Sequence, residues 1–283
     1  MFGGRPFSDT LFMPASVTSQ LSSRHTKCRQ YRQPPVHEVV LSLTLAAPVA
    51  VADLESLPSL LRDRFPIAQR QRKVQLNVAI GPQGEQVLNQ TQEPDGWRLQ
   101  NIETTRVVSA SRSQLVMHAA RPGPWPTGTY DGWEAIYHEA RELYELLSGI
   151  YRGSQPARAG LRYLNRIAVP QNTEYAEWFT IGFRGPEFLH DEFGINLRQS
   201  WARIEGHGSL GATLGLAMIQ IPEPSLQAGH VGFLLDIEVF SLPQRSPSIE
   251  EMPDWCRRAH DAEGDMFEAA ITDQLRQRFE VTR

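Results

Sequence analysis

The 283-residue chain is 41% hydrophobic and 21% charged, which is enough apolar material for a real core and excludes a disordered, highly charged polypeptide. A net charge of −4 and a pI near 6.1 argue against a dedicated duplex-DNA binder. The longest apolar runs, 39–51 and 231–239, fall short of the about 20 residues that cross a bilayer, so no membrane partner is expected. Lys27 and Lys73 are the only lysines, and the other positive charges are arginines, as GC-rich coding or bidentate anion contacts would both produce. The two cysteines, Cys28 and Cys256, form no CxxC pair and fit a reducing, cytoplasmic setting.

Residues 1–33 are rich in Ser, Thr and Arg, with Asp9 the only acid, and lack the apolar stretch of a secretory signal; they are read as a tail outside the fold. A first α+β half, 34–152, opens after Pro34-Pro35 with the alternating strand Val39–Leu45. Asp53–Phe65 reads as a helix in which Pro58 falls in the first turn or makes a kink. Lys73–Ile80 alternates as a strand, and further strands follow near Trp97–Asn101, Thr104–Ala110 and Gln114–Ala119. Asp131 to about Gly149 is strongly amphipathic, with Trp133, Ile136, Ala140, Leu143 and Leu147 at helical spacing. The second half, 153–283, repeats that order: strands at Gly160–Val169, Ser200–Glu205, Ala212–Ile221 and Val231–Phe240, then a helix from Pro253 to Phe279.

The expected fold class is therefore α+β, with two similar halves and both long helices packed on one face of curved antiparallel sheet. A duplicated saddle of the TATA-binding-protein type has this order of elements, which is an analogy of topology alone.

Several segments, PPVHEVVLSLTL (34–45), Gly96-Trp97, YDGWEAIYHEARELY (130–144), GLRYLNRIAVP (160–170), LLDIEVF (234–240) and a last helix with His260, Phe267, Ile271–Asp273 and Phe279, carry a family likeness. Together they resemble a sporadically distributed family of uncharacterised prokaryotic proteins, over 34–283. The resemblance implies no established activity; its patchy occurrence is similar to that of genes in mobile, defence-type cassettes and implies a partner encoded nearby.

Motifs of the kind that carry chemistry are few. Gly206–Gly211 matches GxGxxG, but a strand rather than a helix follows, so a glycine-rich strand connection is expected instead of a nucleotide site. His138-Glu139 has Glu at 142 where a zincin helix needs its second His, so no metal and no cofactor is expected. Ser209 has no nucleophile elbow, and no catalytic residue is assigned. The best polar constellation is Arg162 and Arg166 on one strand with Asp236 and Glu238 on another, which meet if the strands are neighbours. Such a cluster reads first as a register-fixing ladder and second as an anion or peptide site. His260, with Asp261 and Asp265, reads first as a core histidine, and His190-Asp191-Glu192 as a weak cation candidate. Trp125 and Trp178 lie in irregular stretches and are expected to be exposed partner contacts.

Three functions follow from these features. A non-catalytic binding or regulatory protein that recognises a protein partner ranks first, a nucleic-acid-binding saddle second, and an enzyme on an anionic small molecule third.

Overall fold

The structure, a computed structural model, describes residues 30–80, 86–122, 128–151, 154–171, 173–181, 201–219 and 229–279. It is an α+β protein built on one nine-stranded antiparallel sheet. The strands are β1 (Val36–Leu45), β2 (Ile67–Ile80), β3 (Gln86–Gln100), β4 (Arg106–Ser111), β5 (Gln114–Ala120), β6 (Pro156–Pro170), β7 (Trp201–His207), β8 (Gly211–Ile219) and β9 (His230–Phe240). Their order is β2-β3-β4-β5-β1-β6-β9-β8-β7. Thus β1 and β6 meet in the middle of the sheet; after β1 the chain crosses to the edge strand β2 and returns inward to β5, and after β6 it resumes at the other edge, β7, and returns inward to β9. Gly206–Gly211 is a strand connection, with His207 paired to Gly211. A side chain at Gly211 would strike the ring of its cross-strand partner Phe240, which lies over the glycine.

Alternation sorts the central strands into two faces. Val39, Leu41 and Leu43 of β1, Leu161 and Tyr163 of β6, and Leu235, Ile237 and Val239 of β9 are buried together. Each such aliphatic side chain stabilises the fold by roughly 1.5–3 kcal/mol relative to exposure. Helix α2 (Trp133–Leu147) buries Ile136, Tyr137, Ala140, Leu143, Tyr144 and Leu147, the 3.6-residue stripe of its sequence. Helix α3 (Met252–Ala270) buries Trp255, Cys256, Ala259 and Phe267. Two apolar clusters result: a larger one under β1, β6, α2 and the start of α3, and a second under β9 and the end of α3, with Met266 packed against both.

Helical segments are more broken than their periodicity suggests. In place of one helix over 53–65 there is a 3-10 turn at Val51–Leu54 and a single-turn helix α1 (Leu57–Leu60) with Pro58 in its first two positions. Proline lacks the N–H and clashes with the preceding turn, so the chain restarts there, while Leu54, Leu57, Leu61 and Phe65 still reach the core. The helix expected over 253–279 divides at Ile271, which is extended (φ −116°, ψ 152°) and bridges to Phe179. Thr272 then caps α4 (Asp273–Arg278) by accepting the Leu275 N–H at 3.4 Å.

The end of the tail belongs to the fold. Tyr31 packs edge-on against Phe267 and Phe279 and donates its hydroxyl to Glu268 at 2.5 Å, and Gln33 N–H is bonded to Phe279 C=O. Residues 1–29 lie outside the described residues. Among the described residues no helix is long and apolar enough to cross a membrane.

Candidate functional site

Strand β6 presents different chemistry on its two sides. On the side away from the core clusters, Arg162 forms a bidentate pair with Asp236, at 2.7 and 2.5 Å, and Arg158 reaches Glu238 at 2.6 Å. In the register Arg162 stands opposite Glu238, and it reaches diagonally to Asp236, leaving Glu238 to Arg158. Arg166 is opposite Leu234 instead, and the carboxylate close enough to act on its charge is Glu38. Glu38 in turn is bonded to His118 on β5 at 2.6 Å, which holds its carboxyl below the usual range. Three of the four residues singled out in the sequence therefore converge, with Arg158 in place of Arg166. The array lies along a solvent-reachable sheet face, with Arg162 45% exposed and Asp236 16%.

On the other side, Tyr163 and Asn165 look toward the helices, into a cleft of about 520 Å³. Its walls come from the leading segment Gln30–Val36, the start of α2, β6, and α3 from His260 to Glu268. It opens at the seam where the two apolar clusters abut, since Trp133 and Tyr130 pack on one and Tyr31 on the other. The start of α2 is shaped by Gly132, whose φ of +86° is a left-handed value that glycine adopts freely, and no side chain caps the helix there. Arg106 of β4 clamps this end by bonding both Asp131 and Glu139. The far wall is clamped by Arg276 of α4, which binds Glu268 at 2.8 Å.

Inside the cleft the His260 ring stacks on Trp133, centroids 4.3 Å apart, and its Nδ1 lies 3.0 Å from the Tyr163 hydroxyl. Burial pushes the imidazole down to about 4, so it is neutral at physiological pH, and its tautomer sets whether Nδ1 or the Tyr163 hydroxyl donates. Tyr130 is hydrogen-bonded to Tyr163, and desolvation raises both phenols. Asn165 is buried and donates to Leu235 C=O at 3.2 Å. Next to these sits Glu263, only 5% exposed, with no hydrogen-bond partner among the described residues. Burial alone lifts its carboxyl to about 8, so at pH 7 it is mostly protonated. The cleft thus carries a carboxyl and an imidazole that burial keeps uncharged near neutral pH.

Sequence reasoning placed His260 at the inner edge of the helix, and it is there. Its company is Trp133 and Tyr163, while Asp261 and Asp265 point to solvent. Glu263, Tyr130 and Tyr31 were missed. Trp178 requires a correction: it is 5% exposed, its indole N–H donates to Thr173 Oγ1 at 2.7 Å, and Arg278 covers its ring. The 3-10 turn Tyr175–Glu177 tucks it into the second cluster, so it is no surface contact. Trp125, Cys28 and His190–Glu192 lie outside the described residues. Cys256 is buried, its thiol pushed up to about 12, which makes it inert packing. Among the described residues no group of three or more His, Cys, Asp or Glu is placed to hold a metal.

The chain matches no known protein family model, and no curated protein is detectably similar to it, so the resemblance above stands on its motifs alone.

Proposed function

We propose that this chain is a non-catalytic binding protein of the cytoplasm that recognises a partner protein through the face formed by β1, β6 and β9. The observation that carries this reading is the pre-ordered charge array: Arg162 locked on Asp236, Arg158 on Glu238 and His118 on Glu38. Fixed charges of both signs on a firm sheet suit a partner with complementary charges, where they set orientation and association rate more than raw affinity. They suit a nucleic acid poorly, because a phosphate would have to displace Asp236 from a bidentate arginine. The resemblance to cassette-borne prokaryotic proteins is consistent with such a partner, in a defence setting.

The strand order, which runs outward from β1 and β6 as β1-β5-β4-β3-β2 and β6-β9-β8-β7, supports a further reading. The halves 34–152 and 153–283 are two copies of one plan, joined into one curved sheet with both long helices on the face opposite the array.

The test is affinity capture from native lysate, with nuclease present, using wild type and the double variant Arg158→Ala/Arg162→Ala. Capture of one stoichiometric protein by wild type and its loss in the variant is the expected result. Equal capture by both proteins, or bound material that disappears with nuclease, overturns the proposal.

A further inference from the structure

The cleft at the seam between the apolar clusters is independent of the charge array, since it lies on the opposite side of β6. We propose that it is a binding site for an organic cation, an ammonium or guanidinium group seated against Glu263 among the surrounding aromatic rings. Three observations converge on this chemistry. First, the rings of Tyr31, Tyr130, Trp133, Tyr163 and Phe267 line the space, and ring faces attract cations electrostatically, the more so when both are desolvated. Second, the lining carries four carboxyls, Asp131, Glu134, Glu263 and Glu268, against one arginine, Arg32. Arg106 neutralises Asp131 and Arg276 neutralises Glu268, which leaves Glu134 and Glu263 to face a ligand. Third, Glu263 is buried yet lines the cleft, so a cation that enters there meets a carboxyl held away from bulk water.

The positive end of α2 lies at the same rim, where Glu134 in the first turn offsets it. An anion has no comparable support. Tyr130 and Tyr163 are the phenols that feel the Glu263 charge, His260 on the same wall is neutral, and Arg32 on the leading segment is the cation of the lining. The volume of about 520 Å³ falls inside the range of about 300–1,000 Å³ common for small-ligand sites, so the cleft admits a cation with an attached body. Glu263 is mostly protonated in the free protein. A cation therefore binds with release of the Glu263 proton, and its affinity rises with pH until that carboxyl is ionised.

Calorimetric titration of the full chain with methylguanidinium and butylammonium tests this, with the uncharged methylurea as control. Each titration is run at about pH 6.5 in two buffers of different ionisation enthalpy, which counts protons. The cations are expected to bind at least about tenfold more tightly than methylurea, with close to one proton released per site. Glu263→Gln keeps the shape of the neutral acid and so preserves the fold; it is expected to weaken cation binding by about 10- to 100-fold and to abolish the proton release. Agmatine and an end-blocked Gly-Arg-Gly peptide separate the two sources of such a group. Tighter agmatine points to a free metabolite and tighter peptide to a protein side chain. Methylurea binding as well as methylguanidinium, undiminished binding in Glu263→Gln, or no cation binding at millimolar concentration each overturns the site. None of these outcomes bears on the sheet face, where Arg162 and Asp236 are unchanged.

Discussion

The two sides of β6 treat the same kinds of side chain in opposite ways. On the open face, Arg162 and Arg158 hold Asp236 and Glu238 half in water, so these opposite charges are paired. In the cleft, a carboxyl and an imidazole are withdrawn from water, and the protein avoids the cost of two buried charges by keeping both uncharged. Pairing fixes a surface pattern at little gain in stability, because solvent screens exposed ion pairs. Neutralisation by desolvation stores free energy in the protonation state, where it shows as a pH dependence.

Glu263 gives the largest expected effect. Its carboxyl shifts from 4.5 unfolded to about 8 folded, so the folded state binds the extra proton between those values. Stability is then full below the unfolded value, falls as pH rises from about 4.5 to 8, and levels off once both states are ionised. Relative to Glu263→Gln, which cannot ionise, wild type should lose on the order of 5 kcal/mol between pH 4 and pH 9. Urea denaturation of both proteins across that range measures it; parallel curves would show the carboxyl to be solvated and the contrast between the faces false. His260 works in the other direction, because its value is lowered from 6.5 to about 4. Its contribution is present above 6.5 and lost as pH falls to about 4, by roughly 3 kcal/mol relative to His260→Gln. The two slopes partly cancel between pH 4.5 and 6.5 in wild type, so each is seen cleanly only against its own variant.

The open face was readable from the sequence and the cleft was not, for a physical reason. Period-two alternation assigns Arg162, Asp236 and Glu238 to one side of their strands without knowledge of anything else. It does not give register, and the diagonal reach of Arg162 to Asp236, which hands Glu238 to Arg158 instead of Arg166, is a register fact. The cleft draws Tyr31, Tyr130, Trp133, Tyr163, His260 and Glu263 from four separated segments, and only tertiary packing brings those together. One signal was available. Glu263 sits four residues after Ala259 and four before Phe267, an acid inside the buried stripe of an amphipathic helix. The helix breaks at Pro58 and Ile271 differ in the same way: proline announces the first, whereas the second depends on Ile271 pairing with Phe179. Trp178 misled because irregular backbone was equated with exposure, while its indole N–H found a partner in Thr173.

Smaller effects separate packing from pairing. Tyr163→Phe keeps the ring in the core and removes one hydroxyl that serves both His260 and Tyr130. It should cost about 1 kcal/mol by urea denaturation, with the His260 ring resonances shifted in NMR spectra. A cost near zero would mean that the hydroxyl contact is incidental and that stacking on Trp133 alone positions His260.

The smallest expected effect on stability is at the most conspicuous ion pair. Arg162 is 45% exposed, so although its bond to Asp236 is bidentate, solvent screens the attraction and holding the long side chain costs entropy. Removing it with Arg162→Ala also leaves Asp236 16% exposed, still within reach of water. The expected loss is no more than about 1 kcal/mol, and it should shrink as salt is raised toward about 1 M. The same substitution should abolish partner capture, because it deletes a fixed charge from the recognition pattern while leaving the fold intact. A loss of several kcal/mol that salt does not touch would place the pair among the structural supports of the sheet. The array would then be a register lock, and recognition would have to be sought elsewhere on the molecule.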